Sequence, residues 1–202
     1  MNKTELLEMG LERLLGFCVK NDIVAPEVHC DEKWSFNECA YYRPTYIRIC
    51  VKQCAHIGRG GASWSYPGYT VDRTPYGVLA HELGHHCDIT LSDKKYGQAN
   101  RYFGNYSHSV WAASSEEKLT NYCPNTGEWF AEMFRLFVTN PDLLKVLRPK
   151  TYARLREDWE PVEDRAWQVV LSAAPGRTIA AAEKKVAAAL GKSIKEKQPK
   201  LC

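Results

Sequence analysis
His81-Glu82-Leu83-Gly84-His85 constrains this chain more than any other stretch. It reads H-E-x-x-H, and it falls where a helix is expected, because Thr74-Pro75 supplies an N-cap and a first-turn proline. Residues four apart share one face of a helix, so both imidazoles reach a single metal ion. Glu82 lies beside that face and does not compete for the ligand position. Two neutral imidazoles and a nearby carboxylate suit Zn²⁺ and the activation of water, the chemistry of a metallopeptidase. The plainer alternative is a chance H-E-x-x-H in a structural helix, with its histidines at the surface or satisfied in the core.

A catalytic zinc site needs a third protein ligand. Residues 125–138, Asn125-Thr126-Gly127-Glu128-Trp129-Phe130-Ala131-Glu132-Met133-Phe134-Arg135-Leu136-Phe137-Val138, read as a second helix with an apolar stripe at 130, 133, 134, 137 and 138. Glu128 and Glu132 are four apart and share another face. Glu128 is the favoured ligand, 43 positions after His85. Two alternatives stand beside it. Asn125 and Glu128 have capping-box spacing, so Glu128 has a purely local use, and Glu132 is a substitute ligand. His108 is a weaker third ligand in a polar stretch, and Glu116 and Glu117 read as a solvated helix face.

HELGHHCD followed by an ExxAE helix resembles the gluzincin metallopeptidases. The pattern is similar to the catalytic domain of anthrax lethal factor and its relatives, which carry HExGH, an Asp soon after it, and a later E-F-F-A-E-A-F-R-L segment. Here that segment is matched by Glu128-Trp129-Phe130-Ala131-Glu132-Met133-Phe134-Arg135-Leu136. The resemblance implies Glu128 as third zinc ligand and an active-site tyrosine upstream, at Tyr122, with a tyrosine-to-glutamate spacing one residue shorter than the family's. HELGHH and the FRLFVTNPDLL run also resemble uncharacterised phage-encoded metallopeptidases. The likeness spans about 70 residues, Thr74 to Leu144. It implies zinc peptidase chemistry on a polypeptide and does not name the substrate.

These readings assign roles. His81, His85 and Glu128 hold one Zn²⁺, Glu82 is the general base, and Tyr122 donates to the oxyanion. Glu132, at plus four from Glu128, and Asp88, at plus three from His85, are candidates for orienting an imidazole. Tyr102 and Tyr106 are stand-ins for Tyr122. His86 points about 100° away from His85 and reads as a packing residue.

The order of helix, strands, metal helix, insertion and Glu helix implies an α+β, zincin-like fold with a small mixed sheet. Expected elements are a helix over 4–19, strands at 23–28 and 45–51, a Gly/Ser/Tyr-rich loop over 58–68, and a short strand at 69–71. A weakly patterned insertion covers 93–120. A short helix capped by Asn140-Pro141 follows, then helices near 149–158 and 162–173. One domain over 1–173 and a basic tail over 174–202 are expected. Residues 173–202 carry a balance of +5, which leaves −2 on the rest of a chain of net charge +3. That tail reads as a fraying, solvated helix, or as a nucleic-acid contact lacking aromatic interleaving.

Hydrophobic content of 45% and charged content of 25% are ordinary for a globular enzyme. No apolar run is long enough to span a bilayer, so no membrane partner is expected. Glu5, Glu8 and Glu12 interrupt the N-terminus, which reads as an amphipathic helix with a Leu7, Leu11, Leu14 and Cys18 stripe, not a signal peptide. A cytoplasmic location is therefore expected, and the eight cysteines are expected as free thiols. A structural zinc on Cys30, Cys39, Cys50 and Cys54 and a set of disulfides are the alternatives. The competing function is a non-catalytic, zinc-stabilised binding module with a nucleic-acid-contacting tail, which would have no need of Glu82.

Overall fold
The computed structural model describes residues 2–34, 38–55, 72–96, 105–120 and 122–162. The expected 58–68 loop, the strand at 69–71, the helix after 162, Tyr102 and the basic tail lie outside the described residues. Within them the chain runs α1 (Lys3–Lys20), β1 (Glu27–Cys30), β2 (Ala40–Arg43), β3 (Tyr46–Ile49), α2 (Pro75–Tyr96), α3 (Asn105–Ser114), α4 (Thr126–Thr139), α5 (Pro141–Leu147) and α6 (Pro149–Arg156). The class is α+β, with a three-stranded mixed sheet in the order β1-β3-β2. Strand β1 runs parallel to β3 and β2 runs antiparallel to it. No described helix is long and apolar enough to cross a membrane.

Local sequence explains most of the boundaries. Asn2 caps α1 in a reciprocal capping box with Glu5. The Thr74 hydroxyl accepts from the Gly77 amide at the start of α2, where Pro75 occupies the first turn. Asn140 caps α5 by accepting from the Leu143 amide at 3.2 Å. The Glu116 carboxylate, expected on a solvated face, accepts from the Lys150 and Thr151 amides and so closes the open end of α6.

Three differences from expectation have physical causes. Strand β2 lacks a sequence signal because its hairpin to β3 turns through Pro44-Thr45, with Arg43 paired to Tyr46. Thr45 sits at φ 80, a left-handed position that ordinarily calls for Gly or Asn. The first strand starts later than expected, at Glu27, where its ladder with β3 begins. Helix α1 buries Leu6, Gly10, Leu14 and Phe17, while Leu7 and Leu11 are only half-buried. The contact line passes through Gly10, where an added Cβ would lie 2.9 Å from Leu79 Cδ1 and 3.2 Å from Tyr76 Cα. A hydrophobic stripe cannot register a glycine chosen for close approach.

Helix α2 is the hub, touching α1, α3, α4, β2 and β3. Its closest partner is α4. An added Cβ at Gly84 would lie 2.9 Å from Ala131 Cα and 3.2 Å from Phe134 Cβ. The glycine inside H-E-x-x-H therefore lets the two helices approach backbone to backbone. Around this crossing Phe17, Phe130, Phe134, Phe137, Tyr106 and Trp159 make an aromatic core, with Phe17 edge-on to Phe134 at 5.3 Å between ring centroids. Ile47 and Ile49 of β3 point into the same core.

Candidate metal centre
The close crossing of α2 and α4 brings the two helix faces singled out in the sequence against each other. Glu128 Oε2 lies 3.0 Å from His81 Nε2 and 3.4 Å from His85 Nε2. One donor atom from each of the three residues falls within 4.8 Å of the others. Ligands about 2.0–2.1 Å from a tetrahedral ion stand roughly 3.3 Å apart, close to both Glu128 separations, so the three residues could hold a metal ion. Among the described residues, His81, His85 and Glu128 form the group with metal-site spacing, and the cysteines are free thiols.

Only the Asn125 half of the expected capping box forms, and the Glu128 side chain does not reach back to the helix start. The Glu128 backbone amide donates to Asn125 Oδ1 at 2.9 Å, which caps α4, while its carboxylate turns to the histidines. Glu132 sits one turn later and meets the other side of the His81 ring, with Oε1 2.9 Å from Nδ1. A carboxylate there fixes a proton on Nδ1 and directs the Nε2 lone pair at the metal position. The Glu132 carboxylate is itself clamped by Arg135, whose Nε and Nη2 each donate at 3.0 Å, one to each oxygen. Both residues are buried, and Asp72, at the entrance to α2, adds its charge next to Arg135.

The electrostatics follow from this packing. Burial works against a proton on His81, but the flanking Glu128 and Glu132 outweigh it and push the imidazole up to about 10. Glu128 and Glu132 are opposed by burial yet held well below the ordinary carboxylate range. The two histidines lower Glu128, and Arg135 and His81 lower Glu132. Glu82 is also buried, and here burial raises the carboxyl, partly offset by His81 and His85. A carboxylate whose affinity for protons is raised is suited to taking one from water.

Tyr122 is half-exposed, with its ring centroid 5.8 Å from that of His81. Burial and the neighbouring Glu128 push its phenol up to about 12, which keeps the hydroxyl a donor at neutral pH. Asp88, expected to orient an imidazole, is found accepting the Ser107 amide at 2.7 Å and the Ser92 hydroxyl at 3.4 Å. That carboxylate ties α2 to the start of α3. Tyr106, a stand-in for Tyr122, is fully buried and donates to Asp158 at 2.9 Å, so it belongs to the core. His108 is exposed on α3. His86 packs as expected, with Nε2 2.9 Å from the Val24 carbonyl and Nδ1 3.2 Å from the Tyr42 hydroxyl.

Arg135, Asp72 and Glu38 were assigned no role from sequence. Arg135 carried a usable signal, its i,i+3 spacing from Glu132. Glu38, just before β2, acts electrostatically on both Glu82 and Tyr122, and no local pattern points to it. The chain matches no family model, no curated protein and no solved structure.

Proposed function
We propose that the chain is a zinc-dependent endopeptidase of gluzincin type. The observation that carries this reading is the convergence of His81, His85 and Glu128 within 4.8 Å, with the buried Glu82 on the same helix. Two imidazoles and one carboxylate suit Zn²⁺ and leave a coordination position for substrate or water. When bound, zinc supplies a Lewis acid that acidifies water and polarises a carbonyl. Glu82 accepts a proton from the attacking water and delivers it to the leaving amine. Tyr122 donates a hydrogen bond to the carbonyl oxygen as negative charge develops there. Glu132, held by Arg135, keeps the His81 ring in position throughout. A module that merely bound zinc would gain nothing from a buried Glu82, which costs stability by desolvation.

The test is the zinc-loaded protein incubated with a peptide library, with cut sites read by mass spectrometry, alongside Glu82→Gln. The variant is expected to keep its zinc and fold and to lose on the order of 10²–10⁴-fold in rate. Hydrolysis by Glu82→Gln at the parent rate would overturn the mechanism. A parent protein that binds zinc yet cuts no peptide would favour the binding-module reading.

A further inference from the structure
A second chemically distinctive cluster lies where the strand end, the turn after β3 and the approach to α2 meet. Cys39, just before β2, is buried, and its backbone carbonyl accepts from the Cys50 amide at 2.9 Å. The turn that follows brings Cys54 beside it, with Cys54 also buried. Arg73 arrives from the other side, and the Ala55 amide donates to its carbonyl at 2.7 Å, which pins the two segments together. The guanidinium forks onto the Cys39 sulfur, with Nε at 3.4 Å and Nη2 at 3.3 Å.

Two hydrogen-bond arrangements are available to this pair. As thiols, Cys39 donates to the Gln53 carbonyl at 3.5 Å and Cys54 donates to the Cys50 carbonyl at 3.5 Å. With Cys39 ionised, its sulfur accepts from Arg73 and from the Cys54 thiol. The charged groups acting on Cys39 favour the second arrangement. The Cys54 hydrogen bond lowers its affinity for a proton, burial raises it, and Arg73 and Lys3 lower it further. Cys54 is driven the other way, by Cys39 first and then by burial, so it remains the protonated partner. A cation on the sulfur disfavours a second metal at this position, which leaves redox chemistry as the use of a stabilised thiolate.

We propose that Cys39 and Cys54 form a peroxide-reactive dithiol site, with Cys39 the attacking sulfur and Cys54 the resolving one. The Cys39 thiolate attacks one oxygen of hydrogen peroxide. An S–O bond forms, the O–O bond breaks and hydroxide leaves, so sulfur loses two electrons and peroxide gains them. The Cys54 sulfur then attacks Cys39. The S–S bond forms, the S–O bond breaks, and the Cys54 proton departs with the hydroxyl as water. Arg73, the cation on the Cys39 sulfur, is an exposed residue, and Cys39 itself keeps 7% of its surface accessible, room for an oxidant as small as hydrogen peroxide to approach. This chemistry is independent of peptide hydrolysis, although Thr74, next to Arg73, bonds the first turn of the metal helix.

The experiment treats the full chain with limiting hydrogen peroxide at neutral pH, blocks remaining thiols with N-ethylmaleimide, and maps tryptic peptides by mass spectrometry. Cleavage after Lys33, Arg48, Lys52 and Arg59 places Cys39, Cys50 and Cys54 on separate peptides. A Cys39–Cys54 disulfide is expected before any other cysteine is oxidised. Cys54→Ser is expected to trap a dimedone-reactive sulfenic acid on Cys39, and Arg73→Gln to slow Cys39 oxidation by about tenfold. Oxidation that begins at the exposed Cys30 or at Cys123 while Cys39 stays reduced would overturn the assignment. So would a Cys39 disulfide to any sulfur other than Cys54, or an unchanged rate in Arg73→Gln.

Discussion

Gly84→Ala tests whether the metal centre depends on the backbone approach of α2 to α4. The new methyl would sit 2.9 Å from Ala131 Cα and 3.2 Å from Phe134 Cβ, whereas relaxed carbon contacts need about 3.5–4.0 Å. A backbone atom has no alternative rotamer, so α4 must shift by about half an ångström or more. Overpacking of this kind costs about 1–3 kcal/mol, and replacing a helical glycine by alanine returns about 0.5–1 kcal/mol. The net expectation is a loss of roughly 1–2 kcal/mol, or about 3–6 °C in Tm for a chain of this size. The same shift withdraws Glu128 from His81 and Glu132 from the far side of the ring, so metal affinity should fall by about tenfold or more. Gly16→Ala is the control, because nothing lies within 4 Å of its added Cβ. That variant should gain about 0.5–1 kcal/mol and bind metal as before. Urea denaturation and competition against a chelator measure both quantities. If Gly84→Ala were as stable as the parent and bound metal equally well, close helix approach could not be what builds the site.

Glu128→Ala should lose its metal by elemental analysis, whereas Glu132→Ala should retain some at lower affinity; the reverse pattern would exchange ligand and orienting residue. Arg135→Met leaves the Glu132 carboxylate buried without its fork, so a loss of about 3–5 kcal/mol in denaturant unfolding is expected, and a loss below 1 kcal/mol would mean the pair is not carrying Glu132. His81 titrates near 10 against an ordinary value near 6.5, so the stability its carboxylate contacts add to the metal-free protein is complete below about pH 6.5 and disappears as pH rises through about 10. Metal must displace that proton. Calorimetry in buffers of different ionisation enthalpy should register about one proton released per ion at pH 7, with affinity rising about tenfold per pH unit up to about 10, and zero proton release would contradict the His81 assignment. Tyr122→Phe should keep its metal and lose roughly 10–10³-fold in kcat with little change in KM; full activity would move oxyanion stabilisation to another donor.

What could be read from the chain alone was whatever the backbone period encodes within a few residues. Four-residue spacing placed His81 and His85 on one helix face, and Thr74-Pro75, Asn125 and Asn140-Pro141 marked helix starts that the structure shares. Alternation marked β3, and the apolar stripe of residues 130–138 marked α4. Each of these signals is local, because the hydrogen bonds or side-chain directions behind it are set by near neighbours. The rest depended on segments far apart in sequence. The Glu128 carboxylate had a capping use and a ligand use, and only the crossing of α2 and α4 turns it to the histidines. Asp88 sat at a spacing compatible with an imidazole, yet its bond to the Ser107 amide is determined by where α3 packs. Arg135 looked like one more charge on an amphipathic helix until burial of α4 on nearly every side made Glu132 its partner. Strand β2 and the Cys39, Cys54 and Arg73 cluster carried no periodic signal. Their positions follow from the ladder to β3, from a turn with threonine in a left-handed conformation, and from a pairing 34 residues apart in sequence. Local propensity specifies the elements and their faces, whereas packing between elements decides which polar groups lose water and must therefore find one another.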